Sequence, residues 1–590
     1  MRIFARVIPR VVIGGALVFS VISAQETWRA VPTRDFPVVG GNLGNQRYSA
    51  LSRIDRASLP KLGGAWLVHL EDGTPRGNMQ GTPVVVDGVM YIGSGSGSVF
   101  AVNAATGQRI WKFESPFGGQ TNRGVVAAGG LVFTGQSGAR LVALDQKTGT
   151  LVWETRLAER GGTPGVPMVY GGLVYMGISG GEAGARGQIS AHDMKTGKEV
   201  WKFYTIPGPG EFGHDTWEGD SWMRGGGPLW THGAIDPDLG LLIVPIGNPF
   251  PVTNGSTRGG DNLFTASILA LDLKTGAYKW HFQEVHHDIW DYDNPTPPLL
   301  ADIQYQGQPR KIVIHGGKTG FTYILDRTNG KPLVGIEERP VPQDPRNKTA
   351  RTQPFPLGDS PVPTCPEPGS VAAGADQACL FGAFFDLPVV MTPGTQGGLN
   401  SAPMAFSPQT GHFYVPASII NSQFGPGFSR PAGQPRAGTL TAMDPTTNKI
   451  VWQKRTKFPL ATGSGLLATA TGLLFGGVSD GNIVAYDIRT GDELWSFQTG
   501  AGADGSVITY EVNGEQYLAI LAGGNNFNLS QPGDNLWAFK IGGTVKPLPA
   551  PAEPPTIQPA GGRRGAGGGR GANPDGDGRG AIPTGRGGAQ

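Results

Sequence analysis

Charge is what this chain has least of. Only 16% of its 590 residues are Asp, Glu, Lys or Arg, and the formal net charge is +2. No strong electrostatic case therefore exists for a nucleic acid or an anionic membrane as partner. Cysteine is nearly absent, with Cys365 and Cys379 the only two. No C-x-x-C-H occurs, so the chain is expected to carry no c-type haem of its own. Two thiols in one Pro/Gly-rich segment of an exported protein are expected to pair. Long apolar runs are also lacking. The one candidate, Val11 to about Ala24, follows three Arg and ends in small residues. It is shorter than the ~20 residues a span needs. It has the layout of a signal peptide over residues 1–24, so the mature protein is expected to be periplasmic or secreted, with no stable membrane span.

Glycine and proline, by contrast, are abundant: 95 and 49 residues. That suits an all-β chain with many tight turns and excludes a helical solenoid. The decisive feature is an internal repeat: "AVNAATGQRIWKF", "ALDQKTGTLVWET", "AHDMKTGKEVWKF", "ALDLKTGAYKWHF", "AMDPTTNKIVWQK" and "AYDIRTGDELWSF". Period-2 strands flank a D-x-x-T-G turn, in which Gly supplies φ > 0 and Asp or Thr bonds the backbone. Trp follows the turn glycine, or Asn448, by four residues, at Trp111, Trp153, Trp201, Trp280, Trp452 and Trp495. Degenerate copies around Gly330 and Gly411, with Val334 and Val415 in place of Trp, bring the count to eight. Each unit with its upstream strand pair predicts a four-stranded antiparallel sheet, and eight such sheets an eight-bladed β-propeller with tryptophan docking. The propeller is read over residues 25–543. Residues 544–590, Pro-rich and then Gly/Arg-rich with no apolar period, are expected to be disordered.

Several stretches could carry chemistry. "VHHDIWDYDN" places Asp288, Asp291 and Asp293 among aromatics, and in an extended segment Asp291 and Asp293 share a face. Two carboxylates on one face need a cation or a proton between them. Taken alone, the stretch reads equally as a solvated turn before "NPTPP". Glu182 sits in the Gly-rich "SGGEAGARG" beside Gly180 and Gly181, and Asn248 in "IGNPFP". Their oxygens suit a hard cation, or else a loop cap and a turn. Trp230 stands behind three glycines that would let a planar ring approach, or else belongs to the core. Lys318 lies at a strand-turn junction, where an ordinary exposed lysine is the alternative.

The series "NRGV", "SGGEAGARG", "GDSWMRGGGPLW", "IGNPFP", "GDNLFTASILALDLKTG", "HHDIWDYD", "GGKTGFTYILDR" and "GGLNSAPMAFSPQTG", in that order, resembles the pyrroloquinoline quinone (PQQ)-dependent alcohol and glucose dehydrogenases. The likeness runs from about Trp28 to Gly543. It implies that Glu182, Asn248 and Asp291 hold Ca²⁺ and that Asp291 is the general base. Trp230 would floor the PQQ ring, which Gln80, Arg123, Gly180, Gly181, Lys318 and Asn400 would also contact. Asp293 is the position at which some members add a lanthanide ligand. The implied substrate is an alcohol, polyol or aldose, and the implied electron acceptor a separate cytochrome c or quinone. Three departures stand out: no adjacent cysteines near "GGQTNRG", Gln80 where a Glu is frequent, and Ser401 where a Trp is common. The alternative is a propeller without turnover, with or without PQQ, acting as an envelope scaffold or binding protein. The discriminator is whether Glu182, Asn248, Asp291, Lys318 and Trp230 meet at one end of the ring.

Overall fold

The repeat turn explains the architecture. Asp145 Oδ1 accepts from the amides of Lys147 and Thr148 at 3.0 and 2.9 Å, and the Gly149 amide bonds the Asp145 carbonyl at 2.8 Å. Asp193 and Asp272 build the same cap. Each turn joins the third and fourth strands of a sheet, and the following Trp leaves that sheet for its neighbour.

The computed structural model describes residues 28–74, 79–384, 388–425 and 434–557. The expected signal peptide, residues 1–24, and residues 558–590 of the expected tail lie outside them. Among the described residues, eight sheets of three to five strands follow in order as blades, and a further three-stranded sheet is formed by Gln377–Ala378, Val389–Met391 and Ser422–Phe424. Blades 1 to 4 cover residues 84–113, 126–156, 168–204 and 234–283. Blades 5 to 7 cover 299–326, 405–456 and 467–498. Blade 8 takes three strands from residues 508–541 and its fourth, Leu62–His69, from the other end of the chain. No helix among the described residues is long and apolar enough to cross a membrane.

Indole hydrogen bonds join successive blades. Trp66 of blade 8 donates to the Ala104 carbonyl of blade 1 at 3.1 Å, which closes the ring. Trp111, Trp153, Trp201 and Trp280 repeat the contact onto Gln146, Met194, Leu273 and Arg327, and Trp452 onto Ile488. Between blades 5 and 6 a carboxamide replaces the indole: Asn448 Nδ2 donates to the Thr322 and Leu357 carbonyls. At the last joint Trp537 donates to Thr499.

Two expectations are corrected. The turn at Gly411 joins the first two strands of blade 6 and is not a docking unit. A Cβ there would meet nothing within 4 Å, whereas at Gly149 it would lie 2.5 Å from the Trp111 ring. The missing unit is blade 8, whose docking indole is Trp66; no window of sequence contains a sheet closed from both chain ends. Residues 544–557, expected to be disordered, are held against the ring. Val545 donates to the Gly64 carbonyl at 2.8 Å, and the Arg436 amide bonds Thr556 at 2.7 Å. Val545 and Leu548 pack against the core shared by blades 7, 8 and 1. These apolar anchors hold the Pro-rich run as far as residue 557.

Candidate active site

In a four-stranded antiparallel blade, the link from the previous blade and the link between strands two and three emerge at one edge. The docking turns, between strands three and four, emerge at the other. Every predicted site residue lies on a link of the first kind. Gln80, Arg123, Trp230, Asp291, Asp293 and Asn400 precede an innermost strand, while Gly180, Gly181, Glu182, Asn248 and Lys318 lie between strands two and three. Blade topology thus gathers residues more than 300 positions apart.

The contacts bear this out. Trp230 is half-buried, and its Nε1 donates to Asp293 Oδ2 at 2.8 Å. The Arg123 guanidinium lies over the Trp230 ring, 4.6 Å from its centroid. Lys318 Nζ is 3.1 Å from Asp291 Oδ2 and 3.5 Å from Asp293 Oδ1, and all three residues are buried. Gln80 belongs to a short strand paired with that of Arg123, and its Nε2 is buried without a partner. Asn248 is fully buried; its Nδ2 bonds the Pro249 carbonyl and its Oδ1 has no partner. Glu182 is exposed, on a single 3₁₀ turn whose cap, Gly180, has φ 105°. Asn400 is beside the site, but its carboxamide is consumed by its own turn, bonding the Gln396 carbonyl and the Ser401 amide.

Charge is unbalanced here. The Asp293 carboxyl is pushed well above the usual carboxylate range, first by burial and then by the negative charges of Asp291 and Glu182. Lys318 and the Trp230 N–H act the other way. Among the described residues no trio of His, Cys, Asp or Glu is already drawn together as a metal cage. What exists is a surplus of carboxylate around one ammonium, with the unpartnered amide oxygen of Asn248 next to it. Room is kept by glycine: a Cβ at Gly247 would lie 3.2 Å from Asp293 Oδ2, and one at Gly181 3.4 Å from Asn248 Oδ1. A hard cation satisfies that oxygen and the surplus charge. A flat, carboxylate-bearing ring suits the Trp230 face and the unpartnered donors Gln80 Nε2 and Arg123 Nε. The residues present therefore fit both PQQ and a metal ion.

The loop itself is strained and tightly held. His287 and Asp291 have φ of 47° and 63°, left-handed values that cost a non-glycine residue about 1–2 kcal/mol. Asp288 is no ligand: its carboxylate accepts from the Trp290 and Tyr292 amides. Trp290 and Tyr292 in turn bond the Gly382 and Pro393 carbonyls. Such strain persists only where the surroundings over-determine it. Sequence reasoning missed these supports, and with them buried His315 and Glu284 behind Lys318. His315 immediately precedes the quoted "GGKTGFTYILDR", but nothing local marks it as more than a strand residue.

Comparison with known proteins agrees with this geometry. The glucose/ethanol/alcohol dehydrogenase β-propeller family, described as PQQ, matches residues 36–126, 167–425 and 418–518. The profile of the outer membrane assembly factor BamB matches residues 95–216. The quinohemoprotein alcohol dehydrogenase of Comamonas testosteroni is 36% identical over 84% of this chain and 73% of its own. Quinoprotein alcohol dehydrogenase PedH of Pseudomonas putida is 32% identical over 86% and 92%. Among solved structures, quinohemoprotein alcohol dehydrogenase ADHIIG of Pseudomonas putida superposes with a TM-score of 0.75 at 29% identity, covering 91% of this chain and 83% of that one. A europium-containing methanol dehydrogenase gives a TM-score of 0.71 at 26% identity, over 86% and 98%. A propeller whose acids, amide and indole meet on one edge, matched by these enzymes over most of its length, belongs to the family of PQQ-dependent quinoprotein dehydrogenases, oxidoreductases acting on CH–OH donors.

Proposed function

We propose that this protein is an exported quinoprotein dehydrogenase that oxidises an alcohol, polyol or aldose, with Asp291 as its general base. The observation that carries the reading is the buried pair Asp291 and Asp293, set against Lys318 and the Trp230 edge in a field of surplus negative charge. Oxidising a CH–OH group removes a proton from oxygen and a hydride from carbon, and leaves a carbonyl. When bound, PQQ supplies the two-electron acceptor and a hard cation beside it supplies Lewis acidity.

The remaining tasks fall to the chain. Asp291 takes the hydroxyl proton on a carboxylate oxygen, because an unassisted alcohol gives up that proton too reluctantly at neutral pH. Lys318 Nζ, 3.1 Å away, fixes the orientation of that carboxylate. Trp230 is the floor for the planar cofactor, and Arg123, Gln80 and Lys318 present donors to its oxygens. Gly180 and Gly181 shape the turn that carries Glu182, while Asn400 supports the site through its backbone. Glu182, Asn248 and Asp291 would hold the metal. Ca²⁺ matches this oxygen set; the position of Asp293 favours a lanthanide as the second reading, in line with the europium-containing neighbour. Electrons leave to a separate cytochrome c or quinone. A cytochrome c partner accords with a related lupanine 17-hydroxylase named for that acceptor.

The test is reconstitution of metal-free protein with PQQ and either Ca²⁺ or La³⁺, followed by dye reduction on a panel of alcohols and aldoses. Turnover that requires PQQ and one of the two ions is expected. Failure to bind PQQ with either ion would overturn the reading. Bound PQQ without turnover on any substrate would favour an inactive binding propeller.

A further inference from the structure

Behind the acids lies a buried pair with no part in the chemistry described so far. His315, in the strand Gln308–Gly316 that leads into Lys318, is fully buried, as is Glu284. The two imidazole nitrogens engage opposite ends of one loop. Nδ1 meets Glu284 Oε1 at 2.5 Å, where the loop leaves blade 4. Nε2 meets the Thr296 carbonyl at 2.9 Å, where the loop enters blade 5. Asp291 and Asp293 sit between these ends.

A carbonyl only accepts, so Nε2 carries hydrogen. Nδ1 then faces a carboxyl, and one proton is shared along that short contact. The same loop end is tied further: Thr296 Oγ1 donates to the Asn400 carbonyl at 2.7 Å, and the Lys318 amide bonds the Asp293 carbonyl at 3.0 Å. Gly317, between His315 and Lys318, has no room for a side chain. A Cβ there would lie 2.5 Å from Asn294 Oδ1 and 3.0 Å from Glu284 Oε2. The strand therefore runs flush against the loop it clamps.

We propose that His315 is a positioning residue of the reaction: one imidazole, bonded to Glu284 and to Thr296, closes the loop that carries Asp291 and Asp293 and locks it to the strand that presents Lys318. The inference rests on the assignment of Asp291 as base. Its physical basis is that Asp291 and His287 hold left-handed backbone, which persists only where surrounding contacts over-determine it, and the imidazole supplies two of those contacts. A displacement of about 1 Å at the base is enough to lower turnover on the order of a hundredfold.

Four variants of the full-length protein test this, loaded with PQQ and metal for the kinetics and cofactor-free for hydrogen exchange. His315→Ala removes both imidazole contacts. His315→Asn keeps an amide where Nδ1 was and so retains Glu284, while His315→Gln keeps one where Nε2 was and so retains Thr296. Glu284→Gln preserves both contacts, its amide donating to a neutral imidazole. The readouts are kcat per bound PQQ, KM, and hydrogen exchange across residues 284–298 in cofactor-free protein. For His315→Ala we expect a loss of kcat approaching a hundredfold, KM changed less than threefold, and faster exchange confined to that segment. His315→Asn and His315→Gln should fall between it and the parent, and Glu284→Gln within threefold of the parent. Parent-like kcat per bound PQQ in His315→Ala would overturn the proposal, as would exchange raised uniformly over the whole ring. Asp291→Asn serves as a parallel arm. If it keeps turnover, the assignment of the base fails, while the exchange data still decide whether His315 clamps the loop.

Discussion

Two glycines give a matched test of how the ring is fastened. Gly149 and Gly411 both have φ of 72°, and each amide bonds the carbonyl four residues back at 2.8 Å. They differ in surroundings. A Cβ on Gly149 would lie 2.5 Å from Trp111 Cε3 and 2.7 Å from Cδ2, whereas one on Gly411 meets nothing within 4 Å. Alanine at either site adopts left-handed backbone at about 1–2 kcal/mol. The reduction in unfolded-chain entropy is common to both and cancels in the comparison. Only Gly149→Ala must also push back an indole that is pinned at the other end by its bond to the Gln146 carbonyl. Overpacking of that kind costs about 1–3 kcal/mol. The excess for Gly149→Ala is therefore about 5- to 150-fold in the unfolding constant. Urea unfolding at constant pH reads this better than melting, because in a chain of this length each kcal/mol moves Tm by only about 1 °C. Equal destabilisation by the two substitutions would refute the claim that indole-on-glycine contacts join the blades.

Other predictions follow from single side chains. The His281 imidazole is held down to about 4 by burial, with His286 nearby, so its folded pKa lies below the ordinary 6.5. Its contribution is complete above pH 6.5 and is lost as pH falls towards 4, up to about 3 kcal/mol. His281→Gln should flatten that part of the stability profile in urea titrations at pH 7 and 4.5; an unchanged slope would count against it. Cys365 and Cys379 form a disulfide 14 residues apart in sequence. Reduction should lower stability by about 3 kcal/mol, by urea midpoint with and without reductant, and no shift would mean that packing alone holds the segment. Asn448 makes three carboxamide bonds to Thr322 and Leu357 at φ 54°. Asn448→Ala should therefore cost about 2–4 kcal/mol, and Asn448→Gly, free of backbone strain, measurably less.

Legibility in the sequence followed the range of the interactions. The D-x-x-T-G turns are local: Asp, Thr and Gly act within five residues, so the repeat and the docking tryptophans were readable directly. The site was readable for a different reason. Alternate links of an antiparallel blade share an edge, so correct strand order already places Glu182, Asn248, Asp291 and Lys318 together. Contacts between distant segments were not readable. Blade 8 needs Leu62–His69 beside Asn535–Ile541, and Gly411 imitated a docking turn because its local pattern is the same. Asn400 looks in sequence like a free amide, but two backbone groups of its own turn claim it. His315 and Asp288 act by holding other residues, which gives them no sequence signature of their own.

The central claim is that Asp291 accepts the substrate proton, and one measurement tests it directly: kcat per bound PQQ for Asp291→Asn against the parent enzyme, with the same metal and the same alcohol. Asparagine preserves the size of the side chain and one oxygen but has no capacity to take a proton. PQQ occupancy should stay close to that of the parent, while turnover falls by about 10²- to 10⁴-fold. An Asp291→Asn enzyme that binds PQQ and turns over within a few fold of the parent would contradict the account.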